Sequence, residues 1–422
     1  MNIAIESTDA GAPPSARNVS NVLKLLKRRR CKAGCMSLTK KYDEELCWKE
    51  DSLPQKERMK YTHTIHPYFG KFVPHLVRYF LERHLKNAKL ICDPFMGSGT
   101  TLIESNLAGI PSVGMDISRF NVMMCRVKTR KYDMAKLHRE VRRIFDATCA
   151  FSQKTSIDNY VSDRQRRRLN PKSSSKFLNE WFHPDALHTL LVFRELIPGY
   201  AYGDVMKLIL SRTARSSRMI AHYEVDYPKK PHPEDYFCVK HDRICHPTTD
   251  AFGFLKRYCS NTVEKIGEFQ KVRNNVYTSA IHGDSRTYGF AGTGITDVFT
   301  SPPYLGLIDY HEQHRYAYEL LGIKDNSENE IGAKKRGAGK SAAQEYKDGM
   351  TRTIRNITEA SFDRKNGRFI LVVHDKMNLY EEIVANSGLE LVSNYYRKVD
   401  RRSGRRKGEF GENILVCKTA KP

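Results

Sequence analysis

The chain is 422 residues long, enough for one large domain or two to three small ones, and its 40% hydrophobic content suffices for a core. A formal charge of +23 favours a polyanionic partner, most simply nucleic acid, and no apolar run is long enough to cross a bilayer. The opening MNIAIESTDAGAPPSARN has neither the charged start nor the apolar stretch of a secretory signal, so a cytoplasmic location is expected.

In chain order, residues 1–60 read as a basic N-terminal extension. Its Ser/Ala/Pro-rich start is expected to be partly disordered, and VLKLLKRRRCKAGC suits either a phosphate-contacting arm or a solvated tail. From about residue 65 the texture changes. KFVPHLVRYFLERHL has helical apolar spacing, AKLICDPF reads as a buried strand, GTTLIESNLAG as a helix ending at Gly109, and IPSVGMDIS as a second strand. Strand, glycine loop, helix and strand make a βαβ unit, hence a parallel sheet.

Over 119–272 the pattern becomes helical, as in FHPDALHTLLVFRELI and GDVMKLILSRTARSS, with basic loops expected at RQRRRLNPKSSSK and RTARSSR. Strand signals return in NNVYTSAIHGDSR, ITDVFTSPPY, GRFILVVHDK, LELVSNYYRKV and ENILVCKTA. The expected fold is α/β: a Rossmann-like sheet carried by 61–118 and 273–422, interrupted by a largely helical insertion at 119–272.

Ten cysteines are scattered along the chain, several inside apolar runs, such as Cys92 in LICDPF and Cys417 in ILVCK. Reduced thiols are expected rather than disulfides. Two local groups carry metal-binding residue types: Cys31 with Cys35, and Cys238 and Cys245 with His241 and His246. Neither has the CxxC spacing that lets two thiolates grip one tetrahedral ion, so no metal is expected.

Two stretches carry chemistry. DPFMGSGTT sits where a strand meets a helix, the nucleotide-binding position of doubly wound sheets, and Gly97 and Gly99 let the backbone approach a ligand. It is no phosphate cradle, because it lacks the GKS/T ending of a P-loop and Asp93 and Glu104 would repel phosphate. Asp116 ends the next strand, where a carboxylate meets the hydroxyls of an adenosine ribose. An adenosyl ligand without phosphates points to S-adenosylmethionine, with Asp93 placed for its ammonium group.

The second stretch is TSPPY. Two consecutive prolines end a strand sharply and leave carbonyls as free acceptors beside a hydroxyl, Ser301, and an aromatic ring, Tyr304. A planar ring bearing an amino group would fit there. The exocyclic nitrogen of such a base is a poor nucleophile, and fixed acceptors for both its hydrogens would free its lone pair. Ser301 and the Pro302 carbonyl are the expected acceptors, and Tyr304 the stacking partner.

Together these residues resemble the amino-methylating DNA methyltransferases, which act on cytosine N4 or adenine N6. DPFMGSGTT looks like their cofactor motif, supplying Asp93, Pro94, Phe95, Gly97, Gly99 and Thr100. TSPPY looks like their catalytic motif, Ser301, Pro302, Pro303 and Tyr304. HPYFGKFVPHLVRYFLE is similar to the element closing over the methionine end, with Lys71 facing either the cofactor carboxylate or solvent. HGDSR is similar to the acidic strand end near the adenine and supplies Asp284.

The resemblance implies S-adenosylmethionine as cofactor, a flipped base within a short recognition sequence of double-stranded DNA, and a restriction-modification setting with a cognate endonuclease. Serine at position 301 resembles the cytosine-N4 branch. Adenine N6, an RNA base, and a catalytically inactive nucleic-acid-binding module are the alternatives. The insertion matches no motif and suits target recognition or a structural cap. Phosphate contacts are expected from Arg166, Arg167 and Arg168, from Lys334, Lys335 and Arg336, and from Arg401, Arg402 and Arg405. Asp309 and His314 are expected on a helix surface or in the pocket wall.

Overall fold

The computed structural model describes residues 41–42, 44–48, 53–152, 171–225, 228–360, 362–399 and 410–420. Among the described residues, eight strands build the main sheet: β1 (Lys41–Tyr42), β2 (Ile91–Asp93), β3 (Ser112–Asp116), β6 (Thr278–His282), β7 (Asp297–Thr300), β8 (Phe369–Val373), β9 (Leu389–Val399) and β10 (Phe410–Thr419). Their order is β1-β9-β10-β8-β7-β2-β3-β6. Neighbours run parallel except at β10, which lies antiparallel between β8 and β9. Strands β4 (Tyr236–Cys238) and β5 (Arg243–Cys245) pair separately as an antiparallel hairpin.

The short apolar runs of β2, β7 and β8 are buried along their whole length, as expected of parallel strands covered on both faces. On one face α1 (Pro74–His84) lays Leu76, Val77 and Phe80 against Ile91, Phe299, Ile370 and Val372. Pro74 stands at the first helical position, where its missing N–H costs nothing. On the other face Met350, Ile354, Ile357 and Ile383 meet Val113, Val298, Leu371 and Val373.

Behind the glycine loop, α2 (Thr100–Leu107) and α3 (Arg119–Thr129) pack Leu102, Val122 and Cys125 against Met96 and Ala280. The remaining long helices are α4 (Met134–Ser152), α5 (Lys176–Trp181), α6 (Pro184–Leu196), α7 (Gly203–Ser217), α8 (Phe252–Val272), α9 (Arg315–Leu321), α10 (Lys340–Ala360) and α11 (Leu379–Asn386). Helices α4 to α8 share one apolar core with Phe120, Met124 and Val127 of α3 and with Tyr316 and Leu320 of α9.

Four details differ from the sequence expectation. Lys41–Tyr42 joins the sheet edge and Leu46 is fully buried, so part of the 1–60 stretch belongs to the fold. Residues 119–129 form a helix that packs both behind the glycine loop and into the core of α4 to α8. RTARSSR is not a basic loop. Nearly all of it lies in α7, where Arg212 bonds Asn261 at 2.7 Å and stands 4.2 Å over the Tyr258 ring, while Arg218 is buried. The β4–β5 hairpin interrupts the helical segment.

From β2 the chain steps outward through β3 to β6, then returns to lay β7 on the other side of β2. The topological switch point therefore lies between the carboxyl ends of β2 and β7, where doubly wound sheets open a binding crevice. The two ends are tied together: the Thr300 hydroxyl donates to Asp93 Oδ1 at 2.6 Å.

Candidate active site

The glycine loop is clamped from several sides. Gly97 and Gly99 hold φ of +47° and +80°, values that favour glycine. A Cβ on Gly97 would lie 2.8 Å from the Tyr68 hydroxyl, and one on Gly99 2.7 Å from Cys125 Sγ. The Cys125 thiol donates to the Gly97 carbonyl at 3.3 Å, and the buried Lys128 ammonium donates to the Ser98 carbonyl at 2.8 Å. Burial lowers the Lys128 amine to about 8.

Asp116 completes the clamp. Its Oδ2 accepts the Gly97 N–H at 3.0 Å and the Asn121 amide at 3.1 Å, and its Oδ1 accepts the Ser118 N–H at 2.8 Å. Burial outweighs these bonds and raises its carboxyl to about 6. Oδ1 keeps a lone pair for a further donor.

The loop opens on a cleft at the switch point, whose wall includes Phe95, Gly97, Asp116, Ile117, Asp284 and Ser301. Three carboxylates line it, Asp116, Asp284 and Glu330, against one ammonium, Lys71, among the described residues. In a chain of charge +23 this is a locally acidic site. The Lys71 amine is drawn inward rather than to solvent, donating to the His63 carbonyl at 3.0 Å, and burial lowers it to about 7. Asp284 is held by Arg286, whose Nε lies 2.9 and 3.0 Å from its two oxygens.

The acceptor turn is built as an ordered chain of hydroxyls. The Ser301 hydroxyl donates to the Tyr304 oxygen at 3.4 Å, and Tyr304 donates to Glu412 Oε1 at 2.8 Å. Arg397 grips Glu412 Oε2 through two bonds of 2.9 and 2.6 Å, all within the core. With its proton directed to Tyr304, Ser301 presents lone pairs to the cleft it lines. The Pro303 carbonyl accepts from the Tyr346 hydroxyl at 2.9 Å and is not free. Among the described residues no protein donor reaches the Pro302 carbonyl.

Of the residues singled out in the sequence, Lys71, Pro94, Phe95, Gly97, Thr100, Asp116, Asp284, Ser301 and Pro303 line the cleft together. Gly99, Pro302, Asp93 and Tyr304 do not. Asp93 is 1% exposed, its Oδ1 taken by Thr300 and the Phe95 N–H, and burial raises it to about 6. Tyr304 is 8% exposed, its ring tilted against the stacked His374–Phe410 pair at centroid distances of 6.0 and 6.4 Å. The expected stacking ring is thus a buried link in the Ser301 chain.

Lys334, Lys335 and Arg336 form an exposed single turn, with the Lys335 N–H on Asp309 Oδ1 at 2.9 Å. Arg166, Arg167, Arg168, Arg401, Arg402 and Arg405 lie outside the described residues, as do Cys31 and Cys35. His314 is not on a surface. It is 3% exposed against Phe120, and burial lowers it to about 4.

The sequence reading missed Glu330 and His311. Glu330 accepts the backbone N–H groups of Tyr310 and His311 at 3.3 and 2.8 Å and pairs with the His311 ring, pinning the segment after the acceptor turn. His311 Nε2 is buried without a partner among the described residues, in the cleft wall. No motif marks a glutamate that acts from nineteen residues away. Glu412 was equally hidden, since only the strand register brings β10 beside the turn.

The family model for N6/N4 DNA methylases matches residues 15–126, which include the glycine loop. The chain is 35% identical to the Type II methyltransferase M.MjaII of Methanocaldococcus jannaschii, over 90% of this chain and 85% of the relative. It is 24% identical to the Type II methyltransferase M.MvaI of Kocuria varians, over 64% of this chain and 60% of that one. With the acceptor turn and the glycine loop facing one cleft, and a relative this similar along nearly its whole length, the chain belongs to the amino-methylating (cytosine-N4 or adenine-N6) site-specific DNA methyltransferases.

Proposed function

We propose that the protein transfers a methyl group from S-adenosylmethionine to the N4 amino group of a flipped cytosine in double-stranded DNA, within a short recognition sequence and alongside a cognate restriction endonuclease. The observation that carries the reading is the single cleft walled by both Asp116 and Ser301. The cofactor assignment is supported by charge. Three carboxylates would repel a polyphosphate nucleotide but suit a ligand bearing a sulfonium and an ammonium. The free lone pair of Asp116 Oδ1 fits a ribose hydroxyl, and Phe95, Ile117 and Ile331 offer apolar surface for the adenine.

When bound, the cofactor supplies an electrophilic methyl group. The chain's own part is to position and activate the acceptor. Ser301 Oγ accepts one amino hydrogen in the cleft wall. The Pro302 carbonyl, which lies behind that wall with no protein donor among the described residues, accepts the other once the base has pressed into the turn, so the nitrogen pyramidalises and its lone pair becomes available. Both acceptors are fixed before the base arrives, Ser301 by Tyr304 and Pro302 by its ring. No covalent enzyme intermediate is required.

The test is to incubate the protein with methyl-labelled cofactor and DNA, digest to nucleosides and identify the labelled base by mass. N4-methylcytosine is expected. N6-methyladenine would move the assignment to the other branch, and label entering RNA alone would overturn the DNA substrate.

A further inference from the structure

The hairpin β4–β5 brings Cys238, His241 and Cys245 to one point, beside His222 from the segment leaving α7. We propose that His222, Cys238, His241 and Cys245 form a tetrahedral structural zinc site that fastens this hairpin to the segment leaving α7. One ligand atom from each of the four lies within 4.8 Å of all the others. His241 Nδ1 stands 3.7 Å from Cys238 Sγ and 3.4 Å from Cys245 Sγ. Bond lengths of about 2.3 Å to sulfur and about 2.0–2.1 Å to nitrogen place the S···N edges of a zinc tetrahedron at about 3.6 Å. The two edges from His241 to the thiols already have that length.

The backbone explains why a sequence without CxxC arrives there. Cross-strand register pairs Tyr236 with Cys245 and Cys238 with Arg243. Cys238 and Cys245 therefore share one face, diagonally. The turn between them folds back: the His241 and Asp242 N–H groups both donate to the Cys238 carbonyl, at 3.0 and 2.8 Å, and Asp242 adopts φ +50°. His241 is thus delivered between the two thiols. His222 comes from the other side, its N–H on the Tyr236 hydroxyl at 3.0 Å and its ring 4.8 Å from that of His241. His246, the sequence neighbour grouped with these residues, points elsewhere and pairs with Asp235 at 2.7 Å.

Two further observations call for a ligand. His222 Nδ1 is buried with no partner among the described residues, an expensive state unless something fills it. The hairpin also buries the wrong residues for an apolar core: Phe237, Val239 and Ile244 are 54%, 69% and 56% exposed, whereas Cys238 and Cys245 are 0% and 5% exposed. A small hairpin with its hydrophobes outside needs another staple, which a metal supplies. Two thiolates and two neutral imidazoles select zinc by softness and geometry, and two thiolates balance its charge. Binding releases the two thiol protons to solvent.

The full-length chain, purified untagged and without chelator under reducing conditions, should carry one zinc per molecule by elemental mass spectrometry. Replacement with cobalt(II) should give the intense visible bands of tetrahedral coordination and thiolate-to-metal charge transfer. Cys245→Ser and His222→Ala should lose most of the metal, while His246→Ala should retain it. If the cysteine variant fails to fold, the cobalt spectrum of the unaltered chain still decides the ligand set. A protein that holds no zinc and takes up none on titration overturns the proposal. So does a Cys238–Cys245 disulfide found by mass in non-reduced, alkylated protein.

Discussion

The Tyr304 hydroxyl donates to Glu412 Oε1 across 2.8 Å, joining the acceptor turn to the antiparallel strand β10. Tyr304 has one proton, so its oxygen can serve Ser301 only as an acceptor. Arg397, bonded twice to Glu412, keeps that carboxylate an acceptor as well. Polarity therefore runs one way, from cleft to core, and Ser301 meets its substrate with lone pairs.

Tyr304→Phe removes the acceptor for the Ser301 proton while preserving the ring. The bond lost joins two neutral hydroxyls and contributes about 0.5–1.5 kcal/mol, which corresponds to roughly a 2- to 10-fold slower transfer step. Cofactor affinity should not change, because Tyr304 lies outside the cleft wall. Ser301→Ala should be at least as slow. Single-turnover methylation with saturating cofactor measures both, and a Tyr304→Phe variant as fast as the unaltered enzyme defeats the argument from proton direction.

Asp116→Ala should weaken cofactor binding by about 1–3 kcal/mol from the lost ribose contact alone. The variant also strands the Gly97 and Ser118 N–H groups and the Asn121 amide, so the glycine loop loosens and the loss should lie at the upper end. Asp116→Asn, which keeps an acceptor on the ring of donors, should lose less. Calorimetric titration of the two variants orders them, and equal wild-type affinity in both removes Asp116 from the site.

Much of this was legible in the chain. The helix predicted from GDVMKLILSRTARSS and the strand from LELVSNYYRKV stand where their apolar periods put them, because period is set by local geometry. The glycine loop and the Pro-Pro turn were readable because glycine and proline have few substitutes at such backbones. The hidden parts all depend on register between distant strands or on turns. Glu412 reaches Tyr304 because β10 slots between β8 and β9, and His222 reaches Cys238 because a segment folds back. One basic run misled: Arg212 and Arg215 of RTARSSR sit on a packed helix, and Arg218 is buried just beyond its end.

Lys71 should make cofactor binding pH-dependent. Its amine is lowered by burial to about 7, so below pH 7 it is charged and ready for the cofactor carboxylate. Above pH 7 the free enzyme holds a neutral amine, and binding must take up a proton. Affinity should fall by up to about tenfold per pH unit above 7. Titrations near pH 7.5 in two buffers of different ionisation enthalpy should report that uptake, and Lys71→Met should abolish it. A flat affinity profile from pH 6.5 to 8.5 removes Lys71 from the carboxylate.

Asp93 is raised by burial to about 6, against an ordinary 3.8. A carboxyl raised in the folded state favours folding while protonated, so this contribution is complete below pH 4 and is lost as pH rises through about 6. Above that, ionised Asp93 costs about 1–3 kcal/mol. Asp93→Asn keeps an acceptor for Thr300 and for the Phe95 N–H without ionising. Its stability relative to the unaltered chain should therefore increase between pH 4 and 6 and then stay constant. Urea unfolding at pH 4, 6 and 8 checks this, and an advantage that does not change with pH contradicts it.

The last prediction concerns how DNA is held. Lys334, Lys335 and Arg336 form one exposed turn, four residues beyond Glu330 in the cleft wall. Local pairing leaves the two lysines without an acidic partner among the described residues, Lys335 Nζ reaching the neutral Ser327 hydroxyl at 2.9 Å, whereas Arg336 pairs with the exposed Glu345 at 3.6 Å and donates to the Glu328 carbonyl. Cations at the mouth of an acidic cleft can hold phosphates while the base passes them. Each phosphate contact contributes about 0.9 to the slope of log affinity against log salt, so replacing all three with Ala should flatten that slope by about 2–3. Binding should weaken on every DNA sequence alike, because phosphate contacts carry no sequence information. Cofactor affinity and the transfer rate at saturating DNA should stay unchanged. Salt titrations of the unaltered and triple-variant proteins on two unrelated duplexes decide it, and coincident slopes would leave phosphate binding to Arg166–Arg168 and to the 401–405 arginines.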